Sequence, residues 1–212
     1  MPLTLGIDCS LRWMNLGLAD GERAIAEMNA DVGRGQSERL PGETELFLSR
    51  HGAALRDVKL ISVTTGPGYY TGVRVGVAYA AALAEALGIK VAPVPTLYAL
   101  AFGLLHRDWF VAPVIRANSR ALYGALYHGK TELFAGYYDP AQFAGLLSPG
   151  AASPGNLIIT GPEADSWQAL SSLPCVRLTR APSVGLNTAL AANDSICVYP
   201  TEVRAVYMRN PD

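Results

Sequence analysis

Apolar and polar positions alternate along this chain in two rhythms. Short runs rich in β-branched residues and closed by turn residues predict strands, and longer apolar stretches of good helix formers predict helices. Strands are expected over residues 3–10, 15–20 and 23–28, with Asp20 and Gly21 as the hairpin turn between the last two. A polar stretch, 31–38, leads to a moderately amphipathic helix around 43–51, with Leu46, Phe47 and Arg50 spaced along it.

The chain's organising stretch comes next, residues 59–87. KLISVT reads as a buried strand, Gly66, Pro67 and Gly68 as a sharp turn, and GVRVGVAYAAALAEAL as a helix that Thr71 can cap. Pro67 and Gly68 suit the two central positions of a type II turn, the second needing positive φ. Arg74 and Glu85 are the only charges in this helix. Both a Val75, Tyr79, Ala82, Ala86 face and a Gly72, Gly76, Ala80 face therefore need cover, by a large core or by a partner. The stretch is too short and too interrupted to span a membrane, which takes roughly 20 apolar residues.

A strand over 89–94 and an apolar helix over 97–105, begun near Thr96, close the first half. It describes a mixed sheet flanked by helices. The second half repeats the plan in reduced form. Strands are expected over 109–115, 121–127 and 133–138, with His128, Gly129 and Lys130 as a turn. A Pro/Gly/Ser-rich loop over 148–155, a strand over 157–160, a helix over 163–170, a strand over 176–178, a helix over 184–192 and an irregular or strand-like tail over 196–212 follow. The pattern divides into lobes of residues 1–106 and 107–212.

Composition narrows the function. With 212 residues, 50% hydrophobic and 17% charged, the chain can build a substantial core. Its formal net charge of -1 supplies no general attraction to nucleic acid or anionic membrane, so any RNA role is indirect or confined to a patch. Cys9, Cys175 and Cys197 form no CxxC pair, which predicts buried thiols in a reducing compartment. The opening MPLTLGIDCS lacks the marks of a secretory signal, and a cytoplasmic protein is expected.

Candidate chemistry is sparse. Asp8 and Ser10, at the end of the first strand, could hold a metal-bound water or a phosphate, or could simply cap a buried strand. Gly66 and Gly68, ahead of a helix N-terminus, could offer backbone N–H groups to an anion, although GPGYYTG lacks the lysine of a Walker loop. His51, His106 and His128 form no HxxxH pair, and there is no GxSxG elbow.

GIDCS (6–10), GPGYYTGVRVGVA (66–78) and VYMRNP (206–211) together resemble the TsaB family, also called YeaZ. The resemblance covers the first half well and the second loosely. It implies a two-lobed α/β fold of the actin and sugar-kinase superfamily. It also implies a non-catalytic role beside a TsaD-like paralogue, with TsaE, in forming threonylcarbamoyladenosine next to the anticodon of tRNAs reading ANN codons. The implied partner surface is the helix pair of the first lobe: Leu46, Phe47, Arg50, Gly72, Val73, Gly76, Val77, Tyr79, Ala80 and Leu83, which could also form a homodimer. Contact with tRNA would be indirect. No cofactor is implied for the isolated chain, with ATP or ADP and Mg entering only in the assembled complex. The chain departs from the family pattern at Gln36, where a histidine is common, and at Arg116 to Asn118, where a D-A-R segment is common. A stand-alone ATP-dependent kinase or ATPase, and a metalloprotease, are the alternative readings.

Overall fold

The computed structural model describes residues 2–33, 35–105, 108–148, 156–178, 184–192 and 194–208. The chain divides into two compact units, Met1–Ala99 with Ser183–Val206, and Leu100–Pro182 with Tyr207–Asp212. The sequence places everything after residue 106 in the second lobe, whereas the last helix and most of the tail belong to the first unit.

In the first unit, strands β1 (Leu3–Asp8), β2 (Met14–Asp20) and β3 (Arg23–Ala30) form an antiparallel meander. Helix α1 (Gln36–Arg50) follows. Strand β4 (Leu60–Thr64), helix α2 (Tyr70–Leu87), strand β5 (Val91–Val94) and helix α3 (Thr96–Ala101) come next. The sheet order is β3-β2-β1-β4-β5, with β4 parallel to β1 and β5 parallel to β4. Every residue of β4 is buried, as an inner parallel strand covered on both faces requires.

The second unit repeats this order. Strands β6 (Phe110–Arg116), β7 (Leu122–His128) and β8 (Thr131–Tyr138) form the meander, followed by helix α4 (Pro140–Leu147). Strand β9 (Leu157–Thr160), helix α5 (Gln168–Ser171) and strand β10 (Val176–Leu178) complete it. The sheet runs β10-β9-β6-β7-β8, with β9 parallel to β6. Its core joins Val114, Leu122, Leu126, Phe143, Ile159, Trp167 and Leu170.

Helix α6 (Val184–Ala191) returns the chain to the first sheet. Side chains alternate along β1, so Leu5, Ile7 and Cys9 share one face and Gly6 lies on the other. On the first face, α1 and α2 build a core that includes Leu5, Ile7, Leu40, Leu48, Val63, Val73 and Val77. On the second, α6 lies backbone against backbone: a Cβ at Gly6 would land on the Gly185 carbonyl, and one at Gly185 on the Leu16 backbone. Asn187 Nδ2 then donates to the Ala99 carbonyl of α3 at 2.9 Å.

Several boundaries differ from the sequence reading. Helix α1 begins at Gln36 rather than near 43, because it accommodates Pro41 within its second turn. Helix α4 has no counterpart in the sequence reading, yet Asp139 caps it by accepting from Ala141 N at 2.8 Å and Pro140 opens it. Over 163–170 the chain makes turns, and a helix forms only over Gln168–Ser171. Past Ser148, the loop expected over 148–155 lies outside the described residues, as do residues 209–211 of the VYMRNP motif. No helix among the described residues is long and apolar enough to cross a membrane.

Candidate functional site

The end of β1 is sealed by its own neighbours. Asp8 Oδ1 accepts from Ser10 N at 3.0 Å, Ser10 Oγ at 2.5 Å and Thr64 Oγ1 at 2.6 Å. Its Oδ2 accepts from Asn15 Nδ2 at 2.6 Å, across the β1–β2 register pair. Asp8, Ser10 and Asn15 are fully buried and Thr64 is 1% exposed. The carboxylate thus joins the ends of β1, β2 and β4, with three protein donors on Oδ1 and one on Oδ2. Asn15 Oδ1 is left buried without a hydrogen-bond partner. Beside it, burial and then the Asp8 charge push the Cys9 thiol far above its ordinary range.

The glycine turn is occupied in the same way. The positive φ falls on Gly66, at 109°, rather than on Gly68, and the Gly66–Pro67 peptide is cis, so the expected type II turn is replaced. A Cβ at Gly68 would strike the Ser10 carbonyl, one at Gly72 the Cys9 carbonyl, and one at Gly66 the Val206 carbonyl of the tail. Tyr69 N donates to Ser10 O at 2.7 Å and Val206 N to Thr65 O at 2.6 Å. The carbonyl oxygens of Val206, Ser10 and Cys9 thus close on the side of Gly66, Gly68 and Gly72 where a side chain would stand. Asp8, Ser10, Gly66 and Gly68 are therefore brought together, but as a packed joint. Helix α2 starts at Tyr70 after Tyr69, without a side-chain cap, so Thr71 does not fill the capping position.

The two faces of α2 part at this point. Gly72, Val73, Gly76, Val77, Ala80 and Ala84 are buried. A Cβ at Gly76 would lie within ordinary contact of Cys9 and Val63. Five of the ten residues expected at a partner surface, Gly72, Val73, Gly76, Val77 and Ala80, are thus spent on the unit's own core, and Phe47 of α1 is only 3% exposed. Leu46 and Arg50 are exposed, while Tyr79 and Leu83 are half-buried. Of the face that the sequence marks as needing cover, Ala82 and Ala86 are exposed and Val75 is half-buried, although none of the three is among the expected partner residues; the sequence reading does not foresee exposed Ala78. The apolar Val75, Tyr79, Ala82, Ala86 row is the signal that marks the first three. Burial raises the Tyr79 hydroxyl pKa, with Thr44 of α1 opposing as a hydrogen-bond partner and Glu45 adding to the rise.

At the N-terminal end of α2 a cavity of about 660 Å³ opens, lined in part by Arg12, Asp31, Gln36, Ser37, Tyr69 and Thr71. Gln36, which departs from the family pattern, donates from Nε2 to the Leu11 carbonyl at 3.4 Å. In the second unit, Arg116 lies over the Trp167 ring at 4.8 Å and Asn118 Nδ2 donates to the Tyr137 hydroxyl at 2.8 Å. Among the described residues, no three His, Cys, Asp or Glu side chains gather where they could hold a metal ion.

Residues 30–199 match the family model described as TsaD, tRNA N6-adenosine threonylcarbamoyltransferase. The chain is 33% identical to the tRNA threonylcarbamoyladenosine biosynthesis protein TsaB of Bacillus subtilis over 129 residues, 61% of this chain. That segment spans 56% of the Bacillus protein, little more than half its length. Among solved structures, YeaZ of Pseudomonas aeruginosa superimposes with a TM-score of 0.80 at 21% identity, over 98% of this chain and all of that one. The ROK hexokinase of Thermus thermophilus gives 0.54 at 14% identity, over 89% of this chain and 97% of that one. The fold, two mixed five-stranded sheets flanked by helices, is accordingly like that of this sugar kinase. The chain belongs to the family whose model is described as TsaD, tRNA N6-adenosine threonylcarbamoyltransferase, and within it is similar to TsaB (YeaZ).

Proposed function

We propose that this chain takes part in forming threonylcarbamoyladenosine in tRNA as a non-catalytic partner of a TsaD-like enzyme, which it holds through the open face of α1 and α2. One observation carries the reading. Leu46, Ala78, Ala82 and Ala86 stand exposed beside half-buried Val75, Tyr79 and Leu83, while the opposite face of α2 is packed. An apolar helix face of this kind seeks cover, and small residues let a partner helix approach closely. The same face would serve a homodimer when the partner is absent. TsaE, and ATP or ADP with Mg, would join only the assembled complex.

The four protein donors on Asp8 and the close packing of the glycine turn support this reading over a stand-alone kinase or ATPase, since both tie these residues to neighbouring strands and the tail. A metalloprotease has no support in the donor set of the described residues.

The test is association. Ala82→Glu and Ala78→Arg, on the open face, are expected to abolish co-purification with a TsaD-like partner while leaving the circular dichroism spectrum and melting temperature of the isolated chain unchanged. Wild-type yields of the complex from both variants would sink the proposal.

A further inference from the structure

The same helix carries a second feature at its N-terminus, where two exposed tyrosines and an arginine adjoin the open face at Val75 and Ala78. Tyr69 is 47% and Tyr70 59% exposed. Arg74 lies over the Tyr70 ring, 5.2 Å from its centroid, and donates to the Tyr70 hydroxyl at 2.8 Å. The cavity of about 660 Å³ containing Arg12 and Tyr69 lies on one side, and a shallower one of about 320 Å³, lined by Tyr70, Thr71, Arg74, Val75 and Ala78, on the other. Thr71 and Val75 line both, so the two cavities adjoin, with Tyr69 in the lining of the first and Tyr70 in that of the second.

The geometry points to a platform for an unpaired stretch of RNA, two nucleotides long, in the groove region where these adjoining cavities flank Tyr69 and Tyr70. Exposed aromatic faces beside guanidinium groups are what single strands use: each base stacks on a ring and the phosphates meet the cations. Each cavity has the volume of a small-ligand site. Ser37, Thr71 and Gln36 add hydroxyl and amide groups for the sugar 2′-OH, which favours RNA over DNA. A duplex would keep its bases stacked and leave the rings unused. Asp31 also lines the groove and pairs with Arg12 at 2.8 Å, but Arg12 and Asp31 side chains are 66% and 44% exposed, and such pairs are weak enough to exchange for a phosphate. With a net charge of -1, the chain offers no wider field, so binding has to come from this patch. The choice of RNA rests on the reading that the chain serves tRNA modification; the groove itself does not.

Fluorescence anisotropy with a labelled oligouridine of about a dozen nucleotides, on the full chain, tests it. The wild type is expected to bind the single strand at least about tenfold more tightly than an RNA duplex of the same length, with a salt slope of about -1.4 for two phosphate contacts. Tyr70→Ala should weaken binding about tenfold, Tyr70→Phe should retain it, and removing both Arg12 and Arg74 should flatten the salt slope. Equal binding by wild type and Tyr70→Ala, or no binding by either, overturns the inference. Ala82→Glu separates the two readings, because it should lose the partner and keep the oligouridine. A chain that binds its partner but no RNA refutes only the platform.

Discussion

The two faces of α2 have nearly the same composition and opposite fates. One carries Gly72, Gly76 and Ala80 and is pressed against β1 and β4 so closely that a Cβ at Gly72 would meet the Cys9 carbonyl. The other carries Ala78, Ala82 and Ala86 and is open. Small residues serve opposite ends here: on the first face they let backbones touch within one unit, and on the second they leave a flat surface. The contrast teaches that apolar content alone does not say which face is core, and that a missing Cβ is informative only together with what stands opposite.

The sharpest way to break the contrast is Gly72→Val. Its side chain meets backbone rather than a movable side-chain end, so a loss of about 4 kcal/mol or more and largely unfolded protein are expected in urea denaturation. A well-folded variant would mean that the packed face is softer than its geometry. Asp8→Ala comes next. It strands the Ser10 and Thr64 hydroxyls and the Asn15 amide in a buried place, for a loss of about 3 kcal/mol by the same measurement. A loss under about 1 kcal/mol would show that the joint is not what holds the three strand ends.

Cys9, under the packed face, gives a pH-dependent test. Burial raises its thiol pKa, so the folded state keeps a proton that the unfolded state releases. Its contribution to stability is complete below the unfolded thiol's pKa, about 8.5, and falls above it by about 1.4 kcal/mol per pH unit. Cys9→Ala should flatten that part of the alkaline stability profile, and an unchanged profile would count against a sealed thiol. On the open face, Ala82→Glu should shift stability by no more than about 0.5 kcal/mol. A loss as large as that of Gly72→Val would erase the difference between the faces.

Much of this was legible in the chain. The strand order of each half, the central helix and the repeat of one plan in two units follow from apolar runs and turn residues. The face of α2 turned to the core was not, because a helix with no charge between Val75 and Ala84 has no polar stripe to mark its outside. Nor was the place of positive φ in the glycine turn, since Gly66 and Gly68 both satisfy the local pattern and contacts from Ser10 and Val206 decide between them. Pro41 hid the true start of α1. Helix α4 was announced by Asp139 and Pro140, a capping residue followed by a first-turn proline, and could have been found. The assignment of α6 to the first unit depends on Gly6, Gly17 and Gly185, residues far apart in sequence that signal nothing until they meet.

That late return of α6 bears on how the protein is made. All five strands of the first sheet lie before residue 95, yet the helix covering its Gly6 and Gly17 side begins at Val184. A growing chain on the ribosome therefore exposes one face of that sheet until α6 has emerged, and the second sheet, whose strands run from Phe110 to Leu178, can pair before it.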